Sequence, residues 1–389
     1  MSHHYDVIVV GGGGAGSAAA YHLARDGRRV LLLEQFQIGH VRGSSHGQSR
    51  IIRHVYNLAD YASLAPIAFH YWNELQANNQ APLLQMTGGI SIDDPQAEHF
   101  QAIVQALETI DAPYRIYDKQ EAAQAFPQFR LPDGWVVLEQ KGAGILHASN
   151  CVRAMADGAV AAGAELREEC RVLSVQPDGE GVLVRFASAA GEESATAGHA
   201  IVTAGPWAAG FFQQLGLQID LPVLHQQVVY YEVEDPDSYA VGRCPLYLYG
   251  QGKELPGFYG FPIWERPGQI KVAVEMAEPP IDPESPPHPV DQKALALMNR
   301  QVEELMVGVR PNPTDVITCR YTMSPDRDFI IDRHPEYPQI VLASPCSGHG
   351  FKFTITTGRL VADLVQSAPG DYSSPVWRER FALKRLLAA

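Results

Sequence analysis

YDVIVVGGGGAGSAAAYHLARDGRRVLLLE, residues 5–34, is the stretch whose reading decides the fold. Tyr5 to Val10 is a short β-branched run of the kind that forms a buried parallel strand. It passes directly into Gly11-Gly12-Gly13-Gly14-Ala15-Gly16, which satisfies the pattern GxGxxG. SAAAYHLARDG follows, rich in good helix formers and reaching Gly27, a residue suited to close a helix. Arg29 to Leu33 reads as a second strand, and Glu34 stands at its end, 18 residues after Gly16. Each part has a physical task. Gly11 permits a tight turn, Gly13 lets the backbone approach a pyrophosphate, and Gly16 lets helix and strand close together. Free N–H groups at the helix start attract phosphate, and Glu34 is placed to accept hydrogen bonds from a ribose. A carboxylate there repels a 2′-phosphate, which disfavours NADP. Strand, glycines, helix, strand and acid in this order specify a dinucleotide-binding unit and leave NAD and FAD both open.

Composition bounds what surrounds that unit. A chain of 389 residues calls for two domains, and its 46% apolar and 19% charged residues supply a packed interior. The formal charge of −14 argues against nucleic acid or an anionic membrane as partner. A few local Arg and Lys residues can still hold a small acidic molecule inside a cleft. Cys151, Cys170, Cys244, Cys319 and Cys346 are odd in number and form no CxxC pair, so neither a disulfide framework nor a metal site is expected. A reducing cytoplasm suits such thiols. The first residues carry no basic leader or A-x-A site, and Val7 to Ala24, broken by five glycines, does not read as a membrane span.

Three further segments favour FAD. GSSHGQSRIIRH, residues 43–54, sets Arg50, Arg53 and His54 beside Ile51 and Ile52, as if one edge were anchored and the other, with Ser49, aimed into a site. Cys170 to Val175, including Val172, and Gly181 to Phe186 alternate like strands, with Pro177-Asp178-Gly179 between them. After a polar stretch, His199 to Gly205 is a strand whose final Gly205 lets the backbone approach a cofactor. CSGHGFKF, residues 346–353, places Gly348 and Gly350 before a helical segment, TITTGRLVADLVQ. Glycines at a helix start make a nest of N–H groups that would stabilise the negative charge of a reduced flavin.

In GSSHGQSRIIRHVY, CRYTMSPDRDFIID and SGHGFKF the chain resembles the monomeric sarcosine oxidase and N-methyltryptophan oxidase family, over essentially its whole length. The resemblance implies an α/β fold: a Rossmann-like FAD-binding domain with a second, α+β substrate domain built on a mixed or antiparallel sheet. It also implies a flavoprotein oxidase that converts the C–N bond of a secondary amino acid, N-methyl or cyclic, to an imine while O2 becomes hydrogen peroxide. Family members bind FAD covalently through its 8α-methyl to the cysteine of C-x-Y-T, which falls on Cys319. Read by itself, Cys319 is no different from Cys346 or Cys170. The substrate carboxylate would be held by Arg53 and Lys352, and O2 would be activated by Lys271 in the run QIKVAV. Arg50 and His46 match residues near the flavin ring, and Tyr259 and Tyr321 match tyrosines that shape the substrate pocket. There are departures. Ser45 stands where the family has a histidine, Glu275 stands where sarcosine oxidase has one, and Tyr247 to Trp264 differs in length and composition.

The cofactor domain is expected to comprise 1–84, 150–218 and 320–389, and the substrate domain 85–149 and 219–319, with a β-rich stretch from Leu221 to Val274. A proline-rich loop, residues 279–289, precedes a helix from Gln292 to Met306. The expected protein is a cytoplasmic monomer whose partners are an amino acid and O2. Rival readings are an FAD-dependent dehydrogenase with another electron acceptor, a non-catalytic flavin-binding protein, and an NAD-dependent dehydrogenase.

Overall fold

In the computed structural model, residues 4–252, 256–274, 280–285, 289–367 and 375–387 are described. The strand His4–Val10 buries both its faces: Val7 and Val9 enter one core, Ile8 and Val10 another. The neighbouring strand Val30–Leu33 divides in the same way, Val30 and Leu32 against Leu31 and Leu33. That is why both runs are apolar without alternation. Five strands lie parallel, in the order Ile340–Ser344, Gly191–Val202, His4–Val10, Val30–Leu33 and Glu165–Arg167. On one face the helix Gly14–Arg25 packs against Ala148–Ala161 and Thr354–Gln366. Asp26 caps the first helix and Gly27 follows at φ +79°, the left-handed conformation that glycine adopts without penalty.

Arg171–Asp178 and Gly181–Ser188 add antiparallel strands to this sheet, and Ile330–Arg333 pairs with Ile340–Ser344. The polar stretch before His199 proves to be strand as well: Gly191–Val202 is continuous. Its first half alternates exposed Glu192 and Ser194 with buried Ala195 and Ala197, so polarity there reflects a half-exposed sheet rather than a loop.

The second large sheet has the order Val309–Thr322, Val223–Val233, Gln269–Val274, Phe258–Arg266, Leu246–Tyr249, Gly89–Asp93, Val136–Gln140 and Arg115–Tyr117. Its pairs are antiparallel except Leu246–Tyr249 with Gly89–Asp93, so the sheet is mixed, as expected. The helix Gln292–Leu305 covers it through Met298 and Val302. A small sheet joins Arg50–Ile52, Gly144–Leu146 and Leu84–Met86. Three of the expected domain boundaries fall inside elements, the first of them, 84/85, within Leu84–Met86. Position 150 lies within Ala148–Ala161, which packs on the parallel sheet, and position 320 lies within Val309–Thr322, an edge strand of the mixed sheet. Each such element belongs whole to one core, because its hydrogen-bonded backbone cannot be divided between two. Glu275, with residue 279 and residues 286–288 of the proline-rich loop, lies outside the described residues.

Candidate active site

A cavity of about 1200 Å³ opens between the C-terminal ends of the parallel strands and one face of the mixed sheet. Open α/β sheets bind ligands at such strand ends.

The glycine turn forms one end. Gly11 has φ +97°, and a Cβ there would lie 2.7 Å from Thr203 O, so the turn requires glycine. A Cβ on Gly16 would lie 1.8 Å from Gly11 O; this residue does not line the cavity but seats helix on strand. A Cβ on Gly13 would meet only Ser45 Oγ, at 3.6 Å, which leaves the backbone open to a ligand. The helix starts at Gly13 without a side-chain cap or an acid in its first turn. Ser45 instead accepts from Gly14 N–H at 3.1 Å. Glu34 is buried at the cavity wall, where one carboxylate oxygen accepts from Gly12 N–H at 2.7 Å and the other from Phe36 N–H at 2.8 Å. Val172 and Gly205 also line this end. The strand stops at Val202, and Gly205, at φ +51°, opens a short 3-10 turn with no atom within 4 Å of a Cβ position.

The basic loop divides. Arg50 faces the cavity and donates to the carbonyls of Ser49 (2.8 Å) and Ser44 (2.9 Å), pinning the loop. His46 lines the cavity with its Nε2 buried and unpartnered. Burial, then the charges of Arg50 and Lys271, push its pKa down to about 4, so it is neutral at pH 7. His54 turns away, pairing with Gly142 O at 2.9 Å and stacking on Phe69.

Arg53 and Lys352 both line the cavity and come together over the Tyr56 ring. Lys352 is buried and donates to Tyr56 OH at 2.8 Å and His349 O at 2.9 Å. Arg53 lies over the Tyr56 ring, 5.2 Å from its centroid, with its Nε shut off from solvent and unpartnered. Burial, then the Arg53 charge, hold the Lys352 pKa well below the ordinary lysine value. Among the described residues no carboxylate pairs with either cation. Lys352 sits in a 3-10 turn, Phe351–Phe353, locked by Trp72 Nε1 donating to its carbonyl at 2.8 Å. Gly348 and Gly350 shape the approach: a Cβ on Gly348 would meet the Tyr321 ring at 3.0 Å, and one on Gly350 would meet Pro345 O at 1.8 Å. Tyr259 and Tyr321 face each other, hydroxyl to hydroxyl at 3.1 Å, with burial raising both pKa values.

Lys271 is buried on Gln269–Val274 and donates to Ser49 Oγ and Glu265 Oε1, each at 2.9 Å. Ser49 also donates to Glu265 Oε1, and Tyr230 OH to Oε2 at 2.6 Å. The sequence reading missed Glu265 and Tyr56. Tyr56 lies in the quoted RIIRHVY and carried no signal beyond proximity to Arg53; Glu265 beside a Pro-Gly turn reads as a solvated loop acid. Cys319 is half-buried at the cavity wall, but Cys170 and Cys346 line the same cavity. Burial pushes the Cys346 thiol up to about 11. Among the described residues, no three His, Cys, Asp or Glu residues could hold a metal ion, and no helix is long and apolar enough to cross a membrane.

This arrangement can cradle a dinucleotide at the glycine turn and hold an anion between two cations. The chain is similar to known proteins over nearly its whole length. The family model for FAD dependent oxidoreductase matches residues 6–364. Peroxisomal sarcosine oxidase of Homo sapiens is 32% identical over 362 residues, covering 92% of this chain and 91% of its own. N-methyl-L-tryptophan oxidase of Yersinia pestis is 28% identical over 391 residues, covering 98% and 99%. The solved structure of NikD, an unusual amino acid oxidase essential for nikkomycin biosynthesis, superposes with a TM-score of 0.84 at 24% identity, covering 98% of each chain, a likeness of fold.

Proposed function

The chain belongs to the FAD dependent oxidoreductase family, and from that premise we propose a flavoprotein oxidase that converts the C–N bond of an N-methyl or cyclic amino acid to an imine and reduces O2 to hydrogen peroxide. The observation that carries the substrate class is the Arg53–Lys352 pair, two cations without a carboxylate partner lining a dinucleotide cavity. The residues fit FAD: the backbone is open at Gly13 and Gly205, and the polar atoms His46 Nε2 and Arg53 Nε await partners. Bound FAD supplies a two-electron acceptor for the C–H bond next to nitrogen and returns the electrons to O2.

The protein's own work is orientation and electrostatics. Arg53 offers a planar fork to the substrate carboxylate and Lys352 a point charge, so the carbon next to nitrogen is held in one place. Tyr259 and Tyr321 wall that position. Lys271 supplies positive charge where O2 becomes negative as it accepts electrons. Arg50 supplies the standing cation beside the ring site, since His46 is neutral. Cys319 is the proposed point of covalent attachment. The parallel-sheet domain holds the dinucleotide and contributes Lys352, while the mixed-sheet domain contributes Lys271, Tyr259, Tyr321 and Cys319 to the shared site, in a cytoplasmic monomer.

Anaerobic addition of N-methyl and cyclic amino acids to the yellow protein tests this. At least one should bleach the flavin, and air should restore the colour with peroxide formed. Bleaching without peroxide on aeration would make the protein a dehydrogenase, and absence of bleaching by every member of the panel would favour a non-catalytic flavin carrier.

A further inference from the structure

We propose that Glu265 is a positioning residue for Lys271, holding that lysine's ammonium charged and aimed into the cavity. The proposal rests on the reading of Lys271 as the cation that serves O2. The backbone supplies the first reason. Phe258–Arg266 pairs with Gln269–Val274 at Phe261 opposite Lys271 and Arg266 opposite Gln269, so Pro262 to Glu265 face the single residue Ile270. In regular register Glu265 would lie beyond the pairing, in the turn. The extra residues fold Glu265 back alongside Lys271, which is what bulges do beside functional sites.

The second reason is closure of the cluster. Glu265 and Lys271 have side chains only 10% and 9% exposed, and both line the cavity with Ser49 and Tyr230. One carboxylate oxygen takes Lys271 and Ser49; the other takes Tyr230. Other groups facing this pair are Arg50, His46, Cys319, His147 and Arg266, whose guanidinium covers Tyr230 at 3.7 Å and pairs with Asp315. Most are cations or neutral, so Glu265 is the carboxylate bonded to a lysine that burial and Arg50 otherwise drive toward neutrality. Burial alone pushes the Glu265 carboxyl up, but Lys271's charge and the hydrogen bonds from Ser49, Tyr230 and Lys271 hold it below the ordinary value. Each partner therefore keeps the other ionised.

The test compares the holoenzyme with Glu265→Gln, which keeps shape and hydrogen-bonding reach, Glu265→Asp, which keeps charge, and Lys271→Met. With seven lysines in the chain, 15Nζ labelling resolves Lys271 by its absence in the Met variant. In Glu265→Gln the Lys271 titration midpoint should drop by at least about one pH unit, and reoxidation by O2 above that midpoint should slow about tenfold. The rate of anaerobic reduction by substrate should hold, and Glu265→Asp should recover part of the loss. An unchanged Lys271 midpoint in Glu265→Gln, or equal or faster reoxidation across pH 6–10, overturns the proposal. Normal reoxidation in Lys271→Met instead overturns the role of Lys271, while the nitrogen titration still decides what Glu265 does.

Discussion

Replacing Lys352 with methionine isolates a cation that the fold has buried beside Arg53. In the wild type its ammonium is tied to Tyr56 OH and His349 O, with Arg53 as a like-charged neighbour. A carboxylate ligand turns that unfavourable charge into a partner. A hydrogen bond to a charged group is worth about 1.5–3 kcal/mol. Lys352→Met should therefore raise the Kd of a simple carboxylate such as acetate about 10- to 150-fold. Perturbation of the flavin spectrum during titration reads this directly. The sign with pH follows from linkage. The free protein's Lys352 pKa lies below the ordinary lysine value, and an anion raises it, so binding takes up a proton above the free midpoint. Wild-type Kd should be flat below that midpoint as long as the ligand stays ionised, and rise by up to about tenfold per pH unit above it until the loss matches that of Lys352→Met. In Lys352→Met the slope should vanish. A variant Kd equal to that of the wild type, together with the same pH profile, would refute the placement of the carboxylate.

Cys319→Ser should fold and stay yellow, yet release its FAD on acid denaturation, whereas the wild type and Cys346→Ser keep colour in the pellet; a colourless wild-type pellet sinks covalent attachment. Gly16→Ala puts a Cβ 1.8 Å from Gly11 O and should cost about 3 kcal/mol or more in urea unfolding, while Gly13→Ala should leave apoprotein stability near wild type and lower FAD affinity. Equal stability losses in the two variants would contradict the separate roles given to these glycines. His22 is buried against Ile355 O, and burial, then the Arg359 charge, push its pKa down to about 4 from 6.5. The unfolded chain therefore binds the extra proton first, and stability is lost as pH falls from about 6.5 toward 4. Between pH 7 and 5 the wild type should lose about 2 kcal/mol more than His22→Gln. Parallel losses in the two proteins would exclude His22 as the source.

The opening βαβ unit was legible because its constraints are local. A turn that admits only glycine and an acid at a strand end both fall within residues 5–34, and both recur in the structure at those positions. Arg50 and Arg53 were legible as cations beside apolar residues, where a charge needs a reason, whereas Lys352 was reached only through the family resemblance. The polar stretch before His199 misled because alternation in a half-exposed sheet looks like a loop when only average polarity is read.

Glu265 lies at the other extreme. Its role depends on four residues facing one across a hairpin and on Ser49, 216 positions away, closing the cluster. Neither is written in local residue preference. Nor does the chain by itself separate Cys319 from Cys346 or Cys170, since all three reach one cavity. The sequence determined the dinucleotide unit, because backbone geometry within a few residues enforces it. Which distant side chains share a dry pocket, and so which charges sustain one another, was decided by the packing of two sheets, because burial and partner distance exist only once they meet.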